Sequence, residues 1–184
     1  MVQFLENLKV IFFYQIFLSA VLMLSMSNTA SAKNLVYENN WAYLADTVMG
    51  GVSRGVAEFS AGALRLTGQV SLKNNGGFIQ VRTRVDPIEA VGKSGIKIKV
   101  KGNGDTYFLH IRNASARLPW QYYTASFQTS EKWKDIIISF DEFEKSATLM
   151  PRKLKPESIK TIGLVAYGKD HEADVSIANL EFYK

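Results

Sequence analysis

The sequence predicts an all-β fold, a sandwich or barrel of short strands, and three observations lead there. From residue 35 onward the dominant hydrophobic period is two rather than 3.6. Ile96-Lys97-Ile98-Lys99-Val100-Lys101 alternates without a fault, and Ile79, Val81, Thr83 and Val85 alternate with Gln80, Arg82 and Arg84. Such runs bury one face and wet the other. The runs are short and are separated by Gly- and Asn-rich clusters that tolerate positive φ. Their number, about ten, fits a sandwich or barrel and not an alternating α/β chain.

In chain order, strands are expected over residues 35–43, 56–59, 64–72, 78–85, 96–101, 106–112, 122–128, 133–140, 159–167 and 174–183. Asn74-Asn75-Gly76-Gly77 and Gly102-Asn103-Gly104-Asp105 read as tight reversals, the second as a hairpin turn. A short helix is expected over 141–145 with Asp141 as its cap. Residues 150–157, with Pro151 and Pro156, read as a loop, and Asp170-His171-Glu172 as an exposed turn.

The first 32 residues read as an export signal. Lys9 and the chain amine precede an uncharged stretch from Val10 to Met26, followed by a polar segment that closes on Ala30-Ser31-Ala32. Cleavage is expected between Ala32 and Lys33, which makes the mature chain periplasmic or secreted. The alternative is an uncleaved membrane anchor, although the stretch is shorter than the roughly 20 residues a span needs. Residues 33–184 then form one domain, long enough to bury a core without staples.

Of 184 residues, 47% are hydrophobic and 21% charged, an ordinary globular composition. With no cysteine, disulfides, thiolate metal sites and a Cys nucleophile are excluded. The net charge of +5 is spread along the chain rather than clustered, so nucleic acid is not an expected partner. The two histidines, His110 and His171, have no metal-ligand spacing. Asn74, Asn75, Asn103 and Asp105 are oxygen donors in loops but lack the regular spacing of a calcium loop, so no metal or cofactor is expected. No Gly-x-Ser-x-Gly elbow occurs, and the reading is non-catalytic.

The sharpest local feature runs from Trp41 through Asp46-Thr47-Val48-Met49-Gly50-Gly51-Val52-Ser53-Arg54-Gly55. Gly50-Gly51 allows a sharp turn and close approach, and Asp46 can accept backbone N–H bonds within it. Two readings stand: a binding loop at one end of the sandwich, or a structural corner that plugs the core with Trp41, Val48 and Met49, which is the preferred one. Phe78, Gln80, Arg82 and Arg84 share one strand face, and Phe108, His110 and Arg112 another. If those strands share a sheet, Arg82, His110 and Arg112 line one surface, where Arg forks suit carboxylate, phosphate or sugar hydroxyls. Trp120, Tyr122 and Tyr123 offer a stacking platform for a sugar ring. A solvated, ion-paired sheet face is the alternative.

The same residues carry a family resemblance. The 41–55 segment resembles the opening motif of the complex I intermediate-associated protein 30 family. The likeness continues in order through Leu64-Arg65-Leu66-Thr67-Gly68, Asn75-Gly76-Gly77-Phe78-Ile79-Gln80-Val81-Arg82 and Gly102-x-Gly104-Asp105-x-Tyr107. It runs on through His110-Ile111-Arg112, Trp133-Lys134-Asp135-Ile136, Ile162-Gly163-Leu164 and Leu180-Glu181-Phe182-Tyr183. The resemblance implies an all-β, two-sheet antiparallel jelly-roll sandwich of the galactose-binding-like kind and a role in assembling respiratory complex I, with complex I subunits as partners. The export signal and the residues themselves point instead to a non-catalytic binding module of the cell envelope, recognising a glycan, an anionic ligand or an envelope protein; a carbohydrate-active enzyme is the third reading. The candidate binding residues are Trp41, Asp46, Met49, Gly50, Gly51, Ser53, Arg82, Tyr107, His110, Arg112, Trp120 and Tyr122.

Overall fold

A computed structural model describes residues 32–38 and 40–184. The expected signal segment lies outside the described residues, apart from Ala32. Among those described there are eleven strands: β1 (Ala42–Ala45), β2 (Arg54–Ser60), β3 (Ala63–Val70), β4 (Phe78–Arg84), β5 (Gly95–Gly102), β6 (Thr106–Asn113), β7 (Tyr123–Gln128), β8 (Lys134–Ser139), β9 (Glu144–Lys145), β10 (Ile159–Tyr167) and β11 (His171–Tyr183). They form a six-stranded sheet of order β1-β4-β10-β6-β7-β9 and a five-stranded sheet of order β2-β3-β11-β5-β8. Every pairing is antiparallel, so the all-β two-sheet expectation holds.

The period-two pattern sends one row of each sheet inward. In the six-stranded sheet Val81, Leu164, Leu109 and Ala125 sit side by side across β4, β10, β6 and β7. Leu66, Ile98, Val100, Val175 and Ile177 face them from the other sheet, all fully buried. Each such side chain contributes about 1.5–3 kcal/mol by leaving water. The outer face of the five-stranded sheet is solvated and ion-paired: Arg65 donates two hydrogen bonds to the Asp174 carboxylate at 2.9 and 2.7 Å, and Lys101 lies 5.1 Å from the Trp133 ring centroid.

Several elements differ from expectation. Residues 35–43 do not form one strand: Leu35–Glu38 is a single helical turn (α1) whose Leu35 and Val36 enter the core, and β1 starts at Ala42. Over 141–145 there is no α-helix. A 3-10 turn spans Phe140–Glu142, and it is Ser139, not Asp141, that caps it, with Glu142 returning a bond to the Ser139 amide at 2.7 Å. His171 and Glu172 belong to β11, because they pair with Val70 and Gln69. The Asn74–Gly77 and Gly102–Asp105 segments are not hairpin turns. Each carries the chain from one sheet to the other, since β3 and β5 lie in the five-stranded sheet and β4 and β6 in the six-stranded one. The β2–β3 hairpin turns instead at Ala61-Gly62, both at positive φ.

Candidate ligand-binding cleft

The outer face of the six-stranded sheet is a cleft of about 500 Å³. The strand order puts β10 between β4 and β6, so the two polar faces foreseen in the sequence lie on one surface although their strands do not pair with each other. In register, Arg82, Gly163, His110 and Thr124 form one cross-strand row, and Gln80, Val165, Phe108 and Ser126 the next. Gly163 lies low between Arg82 and His110; a Cβ there would stand 3.2 Å from the Gln80 amide oxygen and 3.5 Å from the Arg82 Cβ. The missing side chain keeps the floor of the cleft deep at its centre.

Aromatic rings wall one side. His110 and Tyr122 stack with centroids 4.0 Å apart and planes 15° apart, while Tyr167 meets His110 edge-on at 5.6 Å and Phe108 at 4.7 Å. Burial pushes the His110 imidazole down to about 4, so it is neutral at pH 7. Its Nε2 is buried and has no partner within the protein, which leaves a hydrogen-bonding atom for a ligand. Burial, and after it Tyr167, push the Tyr122 hydroxyl above its usual range, so it stays protonated.

The loop between β6 and β7 brings Pro119 and Trp120 over the cleft. Trp120 is 61% exposed, although an indole of that size usually buries itself. The loop is held from below. The buried Gln121 amide oxygen accepts from the Arg117 and Leu118 amides at 2.9 and 3.0 Å, and the Arg112 Nη2 donates to the Ala116 and Leu118 carbonyls at 3.2 and 3.0 Å. Burial, followed by repulsion from Arg82, lowers the Arg112 pKa from its usual value.

The 41–55 motif builds the opposite rim. Asp46 is fully buried, yet its carboxylate accepts from the Ser53 amide at 3.0 Å, the Ser53 hydroxyl, and the Gly77 and Phe78 amides at 2.5 and 3.2 Å. Burial pushes the carboxyl up, but the Ser53 hydroxyl and the three amides outweigh it and hold it below the usual carboxylate value. A Cβ on Gly51 or Gly76 would fall on this carboxylate, so both loops must be bare where they close on it. Gly50 ends the 3-10 turn over Asp46–Met49 at φ 89°, a left-handed conformation that glycine adopts without strain. Val48 and Met49, each 65% exposed, project from that turn into the cleft lining. The segment thus forms a buried latch around Asp46 and a loop on the rim of the cleft. The expectation that Val48 and Met49 plug the core is not met.

Six of the candidate residues, Met49, Arg82, His110, Arg112, Trp120 and Tyr122, line the cleft together. Asp46, Gly50, Gly51 and Ser53 lie in the latch that positions its rim. Two are corrected. Tyr107 points into the core from the inner face of β6, fully buried; its hydroxyl donates to the Asn103 amide oxygen at 2.8 Å, accepts from the Asp174 amide at 2.7 Å, and burial pushes it up to about 12. Trp41 packs against the core and donates to the Leu35 carbonyl at 3.2 Å, away from the cleft. Sequence reasoning missed Leu44, Pro119, Thr161, Gly163, Val165 and Tyr167. The last four alternate along β10, but this strand is buried on both faces and reads as one nearly continuous apolar run.

Among the described residues the cleft is lined by no Asp or Glu, and nowhere do three or more His, Asp or Glu side chains group to hold a metal. Two of the loop residues considered for calcium serve the fold: Asp105 pairs with Lys169 at 2.6 Å, and Asn103 bonds Tyr107 and the Glu172 carbonyl.

The fold is similar to that of carbohydrate-binding modules. A family 11 module from Clostridium thermocellum, solved with a β-1,3-1,4-mixed-linked tetrasaccharide, aligns at 15% identity and TM-score 0.66, covering 80% of this chain and 92% of that one. The family 11 module of the cellulosomal cellulase Lic26A-Cel5E of Clostridium thermocellum aligns at 14% identity and TM-score 0.67, covering 83% and 94%. An agarase, AgWH50C, aligns at 9% identity and TM-score 0.54 over 77% of this chain but only 22% of its own. No curated protein sequence matches the chain. A family model does, over residues 30–177, and it agrees with the ordered motifs read from the sequence: the chain belongs to the complex I intermediate-associated protein 30 (CIA30) family.

Proposed function

We propose that this protein is a non-catalytic, glycan-binding module of the cell envelope and that the cleft on the six-stranded sheet holds the saccharide. The observation that carries this reading is the pairing of an exposed indole, Trp120, with a stacked His110–Tyr122 wall above a floor left open at Gly163. Sugar rings offer C–H faces to aromatic planes and hydroxyls to polar groups. A neutral imidazole gives one donor and one acceptor, and Gln80 gives both, which matches hydroxyls that also do both. That no Asp or Glu among the described residues lines the cleft supports binding without hydrolysis, since glycoside hydrolysis uses a pair of carboxylates.

An array of plant, algal and bacterial polysaccharides tests the reading. The protein is expected to retain at least one glycan at micromolar concentration, and Trp120→Ala is expected to weaken it about tenfold, since an interfacial aromatic contributes of order 1–2 kcal/mol. Retention of no glycan contradicts the proposal.

We further propose export through the leader 1–32, with cleavage after Ala32; mass spectrometry of the mature protein is then expected to find Lys33 at its N-terminus, and an intact Met1 in the cytoplasm would exclude it. Family membership supports a second reading, an assembly factor for respiratory complex I. That reading expects loss of complex I in a deletion strain, and normal amount and activity would rule it out.

A further inference from the structure

We infer that the saccharide is acidic and that its anionic groups are taken by a cationic pocket continuous with the cleft. This inference rests on the glycan-binding reading. A cavity of about 720 Å³ opens at the end of β4 and the start of β10 and is lined by Arg82, Arg84, Arg112 and Lys160, among others. Arg82, Arg112 and Thr161 also line the aromatic cleft, so the two hollows share a boundary. One ligand can therefore lie in both.

The pocket holds four cations and, among its lining residues, no carboxylate. Elsewhere on the surface some cations are paired, Arg65 with Asp174, Lys97 with Asp135, Lys153 with Asp141 and Lys169 with Asp105, and what sets the pocket apart is that four cations line one hollow. None of the four pocket cations has a carboxylate within 4.0 Å among the described residues. Arg84 and Arg112 flank Thr161 from opposite sides in register, one strand removed on each side, which sets their backbones about 10 Å apart. Arg82 is two residues along from Arg84 on the same face, and its charge bears on Arg112. The Arg112 Nε is buried with no partner.

Uncompensated like charges held this close raise the free energy of the empty pocket, and an incoming anion relieves it. Guanidinium forks engage carboxylate and sulfate oxygens in fixed geometry. Sugar hydroxyls alone call for no such charge. A polysaccharide bearing carboxylate or sulfate-ester groups, with its rings on the aromatic wall and an anionic substituent among Arg82, Arg84, Arg112 and Lys160, satisfies both halves.

The test is calorimetric titration of the full protein with four probes: tetragalacturonate, a sulfated carrageenan tetrasaccharide, a neutral mixed-linked β-glucan tetrasaccharide and inorganic sulfate. At least one acidic saccharide is expected to bind tenfold or more tighter than the neutral one in about 50 mM salt. That advantage is expected to shrink to less than threefold near 500 mM salt as screening sets in. The two acidic probes separate carboxylate from sulfate-ester recognition. The double variant Arg84→Gln, Lys160→Gln alters only the exposed part of the pocket and is expected to remove the acidic advantage while leaving the melting temperature and any neutral-glycan binding in place. Equal or tighter binding of the neutral saccharide overturns the acidic inference and leaves the glycan reading standing. Binding of sulfate with no saccharide of either kind overturns both, since the pocket would then serve a small anion.

Discussion

Asp46 carries a full negative charge inside the fold, and four donors from two chain segments, Ser53 and Gly77-Phe78, converge on it. Hydrogen bonds to a buried charge are worth about 1.5–3 kcal/mol each, and a donor left unmatched costs a similar amount. Asp46→Asn keeps the shape, but its NH2 replaces an acceptor oxygen and faces at least one N–H group. The substitution is expected to lower stability by about 3 kcal/mol in urea unfolding at pH 7. The carboxyl lies below its ordinary 3.8 in the folded protein, so its contribution is complete above that pH and is lost as pH falls further. His110 acts in a different window. The unfolded chain takes up its proton near 6.5, whereas the folded chain resists until about 4, so stability declines as pH falls between those values, by of order 3 kcal/mol. His110→Gln is expected to flatten the stability-against-pH curve there. A slope unchanged by the variant would show that other groups set it.

At the scale of elements, β10 decides what the cleft is. It pairs with β4 and β6, buries Ile162, Leu164 and Ala166 against the other sheet, and leaves Gly163 as the floor. Gly163→Leu is expected to fill the floor and abolish glycan retention, with the array as readout. Gly163→Ala, whose Cβ would press on the flexible end of the Gln80 side chain at 3.2 Å, is expected to change the melting temperature by only a few degrees. Most strands were legible because one face of each is wet, so their period of two survives in the sequence; β5 and β6 are the plainest. β10 was legible as a strand but not as part of the site, since a strand buried on both faces loses its alternation. The Asn74–Gly77 and Gly102–Asp105 segments were legible as turns, but whether a turn joins neighbours in one sheet or crosses to the other depends on distant pairings, β3 and β5 with β11. Tyr107 was misplaced for a related reason. Phe108, His110 and Arg112 mark the outer face of β6, and the strict alternation sends Tyr107 inward, where its hydroxyl finds Asn103 and Asp174.

At the scale of the whole molecule, two sheets of similar make divide their work. The five-stranded sheet turns a lysine-rich, ion-paired face to water. The six-stranded sheet turns outward a face of unpaired arginines, aromatic rings and a glycine floor. The latch around Asp46 and the braces from Gln121 and Arg112 fix the two rims to that sheet, so the cleft exists before a ligand arrives, which lowers the ordering cost of binding. Only one of the three tryptophans, Trp120, lines the cleft. Saccharide binding is expected to shift the tryptophan fluorescence of the protein, and Trp120→Phe is expected to remove that response.

The most direct measurement is a backbone NMR titration of the isotope-labelled protein with the saccharide it retains best on the array. Shifts are expected to concentrate on the amides of Gln80, His110, Trp120, Tyr122 and Gly163. Shifts gathered on β5, β8 or β11, or none at saturating saccharide, would contradict the account.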